Sequence, residues 1–241
     1  MKGKERKKFV GLLVVGLLAL GLLAGCGEAA EPTTDEPVEQ AQQTTEQQPT
    51  TPTADTITAE PMTDERHLAA QQAVTAPAAE MEEILATDFI TAISDYITAL
   101  EGNVPQTGEG LILTESDELT SYILPITDNC SFFLPVAKAD GTMLLTTFSL
   151  QIDFPLTEED WGMVEDYFYA ISYYLDRDRP GNLWQALAVT EATAGDINRA
   201  SYHDYTYIYI AREDAASFSI MPNTNSTLAA DEIGVSKVAQ Q

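Results

Sequence analysis

The sequence has few of the residues from which catalytic centres are usually built. Its 241 residues include only two cysteines, Cys26 and Cys130, and two histidines, His67 and His203. No glycine-rich phosphate loop, zinc motif or nucleophile elbow occurs in it. Paired carboxylates are so frequent in an acidic chain that they do not single out a glycosidase site. We therefore predict no catalytic site, no metal site and no cofactor.

Basic residues are also scarce. Twelve lysines and arginines stand against 38 aspartates and glutamates, which gives a formal net charge of -26. Binding to nucleic acid depends on Lys and Arg side chains that neutralise phosphates, so a nucleic-acid partner is not expected. Anionic lipid surfaces, which attract basic segments, should repel the chain as well. Cations and cationic peptides are the partners that this charge favours.

Aromatic residues are missing from a long part of the chain. No Phe, Trp or Tyr lies between Phe9 and Phe89, and residues 28–79 are rich in Thr, Gln, Glu and Pro. Such a composition cannot bury enough apolar surface to offset the entropy of ordering the chain. We predict a disordered tether over residues 26–79, with an end-to-end distance of roughly 40 Å. Within it, 64–76 has the pattern of a short helix.

The first 26 residues have the order of a secretory signal. The apolar run from Phe9 to Ala24 has 16 residues, fewer than the ~20 that span a bilayer core. Small residues and a single cysteine follow it, as Leu23-Ala24-Gly25-Cys26. This order favours cleavage over a retained transmembrane helix. Five basic residues precede the run: Lys2, Lys4, Arg6, Lys7 and Lys8.

The stretch Leu23-Ala24-Gly25-Cys26 resembles the lipobox of bacterial lipoproteins. The resemblance implies that residues 1–25 are a signal peptide and that Cys26 carries a diacylglycerol thioether and acyl chains such as palmitate. Two acyl chains give stable membrane attachment. The implied location is the extracytoplasmic face of the cell membrane. Removing residues 1–25 takes away five basic residues and one acid, so the mature chain has a net charge of -30.

With Cys26 lipidated, Cys130 has no partner for a disulfide, so the folded part must depend on its apolar core. We assign the acidic domain to residues 80–222 and a flexible C-terminal tail to 223–241. Helices are predicted over 77–102, from Thr157 to Pro180-Gly181, and over 182–194. In the second of these, Thr157 is the N-cap and Asp160 its reciprocal partner, and the apolar stripe is Trp161, Val164, Phe168, Ile171 and Leu175.

A hairpin is the clearest strand signal. Its arms are 130–137 and 142–154, joined by Asp140-Gly141, whose residues tolerate the positive φ of a tight turn. Alternation in the second arm indicates a strand with one buried face. Further strands are predicted at 111–113, 119–126, 205–212 and 216–221. The predicted fold class is α+β, with a mostly antiparallel sheet and two or three helices packed on one face. The predicted buried face of the second arm is Leu144, Thr146, Phe148, Leu150, Ile152 and Phe154.

Candidate sites are few. Tyr205, Tyr207 and Tyr209 share one strand face and form either an exposed ligand surface for sugar or peptide, or a set of packed side chains. Cys130 with His203 is a candidate nucleophile and base. The expected function is a binding or interaction module, with a cell-wall glycan or a protein as its partner. The alternatives are a small cell-envelope hydrolase and a small solute-binding receptor. A cation site is a further candidate, at Asp196, Asn198 and Asp204.

Overall fold

The computed structural model describes residues 55–75, 84–107, 112–224 and 226–239. The predicted signal peptide and Cys26 lie outside these ranges. Within them, nine strands and four α-helices form an α+β fold. In chain order the elements are β1 (Asp55–Thr58), α1 (Glu65–Ala73), α2 (Ala86–Ala99), β2 (Ile112–Glu115), β3 (Leu119–Pro125), β4 (Cys130–Ala137), β5 (Ser149–Asp153), α3 (Glu158–Leu175), α4 (Leu183–Ala186), β6 (Asp196–Tyr202), β7 (Tyr205–Ala211), β8 (Ala215–Pro222) and β9 (Glu232–Ala239).

All nine of these strands join in one antiparallel sheet. Their order across it is β1-β9-β6-β7-β8-β5-β4-β3-β2, so β1 and β2 are the edges. The predicted α+β class and the antiparallel sheet are confirmed. The number of helices is not, since four are present among the described residues where two or three were predicted.

One face of the sheet carries the core. Phe132, Leu150 and Phe218 are direct cross-strand partners on β4, β5 and β8, so their side chains point to the same side. On that side the ring centroid of Phe89 in α2 lies 5.9 Å from that of Phe132, and the ring of Phe168 in α3 lies 5.6 Å from that of Phe218. Both long helices therefore pack on the same face.

Helix α3 begins as the sequence predicts. The Oγ1 of Thr157 accepts a hydrogen bond from the Asp160 N–H at 3.1 Å, and the Asp160 carboxylate accepts one from the Thr157 N–H at 2.9 Å. This reciprocal pair satisfies two amides that a helix start leaves without partners. The helix ends at Leu175, before the predicted Pro180-Gly181, because Asp176 adopts an extended backbone.

The hairpin prediction is right in its first arm and turn but wrong in the length of its second arm. Gly141 has a φ of +79°, as the turn requires. After it the chain makes a 3₁₀ turn at Leu145–Thr147, and β5 begins only at Ser149. Phe148, Leu150 and Ile152 are buried as predicted, whereas Leu144 is 37% exposed and Phe154 is half-buried.

The predicted tether and tail contain parts of the fold. Within 26–79, β1 pairs with β9, and α1 buries His67 and Ala70. Within 223–241, β9 lies between β1 and β6, and its Ile233 is fully buried. Backbone pairing on both sides holds β9 in the sheet, although only half of its residues are apolar. The tether prediction is therefore wrong for residues 55–75, and the tail prediction is wrong for 232–239.

The other helix predictions are right in kind and wrong in extent. The helix predicted over 64–76 is α1, capped by the Asp64 carboxylate. The helix predicted over 77–102 is described as Ala86–Ala99, and 77–83 lie outside the described residues. The helix predicted over 182–194 is the single turn of α4 followed by a 3₁₀ turn at Val189–Glu191.

Candidate functional site

The tyrosine row lies in the core. Tyr205, Tyr207 and Tyr209 are 4%, 1% and 2% exposed, because α3 covers their face of the sheet. The ring of Tyr207 lies 5.7 Å from that of Phe168, and the ring of Tyr209 lies 4.8 Å from that of Phe218. The exposed ligand surface is therefore wrong, and the packing alternative is confirmed.

Cys130 and His203 do not meet. Cys130 is opposite Ile152, which is opposite Ala216, which in turn is opposite Ala211 at the far end of β7. His203 precedes the near end of that strand, so six residues, or about 20 Å, separate the two along β7 alone. Burial raises the pKa of the Cys130 thiol to about 12, so the thiol is protonated. The predicted pair is wrong.

His203 has a different partner. Its Nδ1 lies 2.6 Å from the Asp176 carboxylate, and its ring stacks on Tyr202 with centroids 3.9 Å apart. The carboxylate fixes the orientation of the imidazole, as in many acid–base dyads. No serine, threonine or cysteine among the described residues donates a hydrogen bond to it.

The Asp196 carboxylate and the Asn198 amide nitrogen bind protein groups, whereas the buried Asn198 Oδ1 has no hydrogen-bond partner among the described residues. The Asp196 carboxylate accepts hydrogen bonds from the Thr193 N–H at 2.7 Å and from Lys237 at 2.8 Å, and these donors lower its pKa to about 2. The Asn198 amide donates to the carbonyls of Leu187 and Ala188. The predicted cation site is therefore wrong. Among the described residues no group of three or more His, Cys, Asp or Glu side chains is placed to hold a metal ion.

A cleft of about 560 Å³ lies where three segments meet: residues 60–67, the middle of α3, and residues 181–185. We call it the acidic cleft. Gly181 makes this meeting feasible, because a Cβ there would lie 2.7 Å from the Pro61 carbonyl oxygen. Its N–H donates to the Glu60 carbonyl, and the Asn182 carboxamide oxygen accepts from the Glu60 N–H at 2.9 Å.

Carboxylates outnumber cations in the acidic cleft. Of the described residues that line it, Arg66 alone carries a positive charge, and its guanidinium binds Asp166 at 3.2 Å. The Glu165 carboxylate makes no hydrogen bond or ion pair with a described residue. Burial and then the neighbouring Asp166 and Asp64 raise the pKa of Glu165. The pKa of Asp166 is also raised by burial, against the effect of Arg66. The acidic residues that line the acidic cleft are Glu60, Asp64, Glu165 and Asp166.

A buried network forms the floor of the acidic cleft. Arg179, 4% exposed, donates to the Tyr96 hydroxyl at 3.3 Å, so that hydroxyl must donate its own proton to His67 Nδ1 at 2.9 Å. The remaining proton of His67 is then on Nε2, which lies 3.5 Å from Asp166. Burial lowers the pKa of His67 to about 4; the charge of Asp64 opposes this effect, and the positive charges of Arg179 and Arg66 add to it. His67 is therefore neutral at pH 7.

Sequence reasoning missed this cleft because its residues come from three separate segments. His67 and Glu60 fall in the predicted tether, and Asn182 is the first residue of the helix predicted over 182–194, where a side-chain cap is expected. The Asn182 side chain makes no cap hydrogen bond; instead it binds the Thr58 carbonyl and the Glu60 N–H. The one available signal was the helical pattern at 64–76, which includes His67.

None of the helices in the described part of the chain has the length and apolar character to cross a membrane. Comparison of the chain with protein-family models, with curated proteins and with solved structures finds no match.

Proposed function

We propose that this chain is a lipid-anchored protein of the extracytoplasmic membrane face, and that its folded region binds a small polar solute that carries a positive charge. The observation that carries the binding role is the acidic cleft, where four carboxylates face one arginine and a neutral histidine. A hydrolase has less support, because the predicted pair of Cys130 and His203 is separated by the width of several strands.

The anchor rests on the resemblance of Leu23-Ala24-Gly25-Cys26 to a lipobox. We expect Cys26→Ala to abolish processing and lipid attachment, because the lipid is attached through the Cys26 sulfur. Fractionation of bacterial cells and mass spectrometry of the mature amino terminus measure this. Cys130→Ala is the matched control, and it should leave the protein membrane-bound and processed. A Cys26→Ala protein of wild-type mature mass in the membrane fraction would contradict the anchor.

The chemistry of the ligand follows from the charge of the acidic cleft. Glu165 is half-buried, its carboxylate has no ion pair among the described residues, and the repulsion by Asp166 and Asp64 acts against the weaker attraction of Arg66, which is paired with Asp166. A positive group between these carboxylates would remove that repulsion and replace part of the hydration that they lose by burial. The volume of about 560 Å³ is within the range of small-molecule sites. An organic amine of moderate length has both the positive charge and the size that this cleft requires.

Spermidine is a suitable probe, measured by titration calorimetry on the full-length protein in detergent. We expect binding that weakens with salt. The double variant Glu60→Gln/Glu165→Gln should bind roughly 3- to 30-fold more weakly, because it removes two charges from the cleft. Asp117→Asn/Glu118→Gln removes the same charge from the exposed turn before β3 and should change the affinity less than ~2-fold. Equal losses in both variants, or no binding, would contradict the site.

A further inference from the structure

A second cavity, of about 350 Å³, lies at the end of β7 and has a different chemistry. We call it the aromatic pocket. The half-exposed rings of Phe154 and Trp161 line it, with centroids 5.9 Å apart. Small side chains of residues 189–194, which are apolar except for Thr190, form another part of the wall: Val189, Thr190, Ala192 and Ala194. Trp161 was predicted to belong to the apolar stripe of α3, but it lies at the rim of this pocket instead of being fully buried.

Polar groups without partners face this pocket. Tyr209 is 2% exposed, and its hydroxyl makes no hydrogen bond with a described residue. Unlike the Tyr207 hydroxyl, it is not fully enclosed, and it belongs to the pocket lining. Arg212 and Glu213 also line the pocket, and neither side chain has a hydrogen bond or ion pair among the described residues. Burial raises the pKa of Tyr209 to about 12, so its hydroxyl is available as a donor.

The wall at 189–194 is held in place at both ends. The Asn198 carboxamide donates to the Leu187 carbonyl at 2.8 Å and to the Ala188 carbonyl at 3.3 Å. At the other end, the Asp196 carboxylate accepts from the N–H and the hydroxyl of Thr193 at 2.7 and 2.9 Å. Two of the three residues that the sequence suggested as cation ligands, Asp196 and Asn198, therefore hold the wall of this pocket. A site supported in this way is largely formed before a ligand arrives.

We infer that the aromatic pocket binds one ring of a neutral sugar. The C–H face of a pyranose packs on an aromatic side chain, and the partly exposed Trp161 ring supplies one in the lining. Its hydroxyl groups are both donors and acceptors, and Arg212, Glu213 and Tyr209 supply both kinds of partner. The volume of about 350 Å³ is at the lower end of ligand sites and suits roughly one ring.

Charge separates this ligand from an aromatic carboxylate, which would also fit the rings and Arg212. Glu213 cancels the charge of Arg212 within the pocket. Asp153 and Asp214 flank Phe154 and Glu213 in the chain, and the pKa of Asp153 is raised by burial and by the charge of Asp214. An anion would therefore enter a region of negative potential, whereas a neutral sugar would not. The inference is independent of the amine ligand proposed for the acidic cleft.

The test uses the full-length protein carrying Trp184→Phe, which leaves Trp161 as its one tryptophan. Trp161 fluorescence is followed during titration with a neutral tetramer of N-acetylglucosamine, with maltotetraose, and with 3-phenylpropionate. We expect at least one neutral sugar to bind more tightly than the anion. Tyr209→Phe and Arg212→Gln should each weaken that binding roughly 3- to 10-fold, because each removes hydrogen bonds to the sugar.

Tyr122→Phe on β3 and Arg199→Gln, an exposed residue of β6, are the matched controls, and they should leave sugar binding unchanged. Circular dichroism confirms that each variant is folded. Tighter binding of 3-phenylpropionate overturns the inference, as does equal binding by the pocket and control variants, or no response to either sugar up to ~10 mM. Sugar binding should persist in Glu60→Gln/Glu165→Gln, because the sugar and spermidine bind at different places.

Discussion

Phe168→Ala is expected to lower the free energy of unfolding by about 3–5 kcal/mol. Phe168 is 2% exposed on the inner face of α3, and its ring lies within 5.7 Å of the ring centroids of Trp184, Tyr207 and Phe218. Truncation leaves a cavity between the helix layer and the sheet, and these large rings can close it only in part. The loss corresponds to a fall in Tm of roughly 6–20 °C, measured by denaturant and thermal unfolding.

Phe133→Ala is the matched control. Phe133 is the same residue type, but it lies half-buried on β4 with its side chain on the sheet face opposite to Phe132. We expect its truncation to cost less than half as much, because part of the surface it covers is already in contact with water. Equal losses at the two positions would show that α3 does not cover the core face, and would contradict the packing described for the whole helix layer.

The predictable parts of this fold are those in which local pattern and tertiary environment agree. The Thr157–Asp160 capping box fixes the start of α3 from sequence alone, since its hydrogen bonds join residues three apart. In β5, alternation places Phe148, Leu150 and Ile152 on the buried face, as observed. Each of these features depends on neighbours in the chain, so no knowledge of the rest of the fold is needed.

Two of the missed strands, β1 and β9, depend on partners far away in the chain. β9 has only a short apolar alternation, with Ile233 and Val235, and it is held by pairing with β1 and β6. β1 lies about 175 residues from β9 along the chain, and its four residues are all exposed. β6 contains Asn198 and Arg199, and polar residues of this kind are typical of a turn. Neither composition nor periodicity reveals backbone pairing of this kind.

The same limit applies to the two cavities. The tyrosine row on β7 was visible as an alternation, but alternation alone does not show which face a helix covers. Tyr209 illustrates the difference, since its ring lies in the core and its hydroxyl belongs to a pocket lining. The charge of the acidic cleft follows from composition, whereas its position depends on Gly181 and the close approach of residues 60–62.

Acid is expected to destabilise the fold through His67. Its pKa is about 4 in the folded protein against 6.5 in the unfolded chain, because burial disfavours the charged imidazole. Between these values the unfolded chain binds a proton that the folded protein excludes, so stability falls as the pH is lowered. This loss of unfolding free energy is negligible above pH 6.5 and reaches about 3 kcal/mol at pH 4. The raised pKa values of Glu165 and Asp166 act in the opposite direction, since these folded carboxylates bind protons more readily.

The contribution of His67 is isolated by comparing the wild type with His67→Gln in urea unfolding from pH 7 to pH 4. His67→Gln should lose less stability than the wild type over this range, by about 3 kcal/mol, although it starts lower because Tyr96 and Asp166 lose a partner. Proton NMR of the wild type gives a second measurement, in which the His67 ring signals should not titrate until the pH approaches 4. A titration of His67 near pH 6.5, or identical slopes for the wild type and His67→Gln, would show that the imidazole is accessible to solvent. It would also contradict the assignment of His67 as a buried neutral residue beneath the acidic cleft.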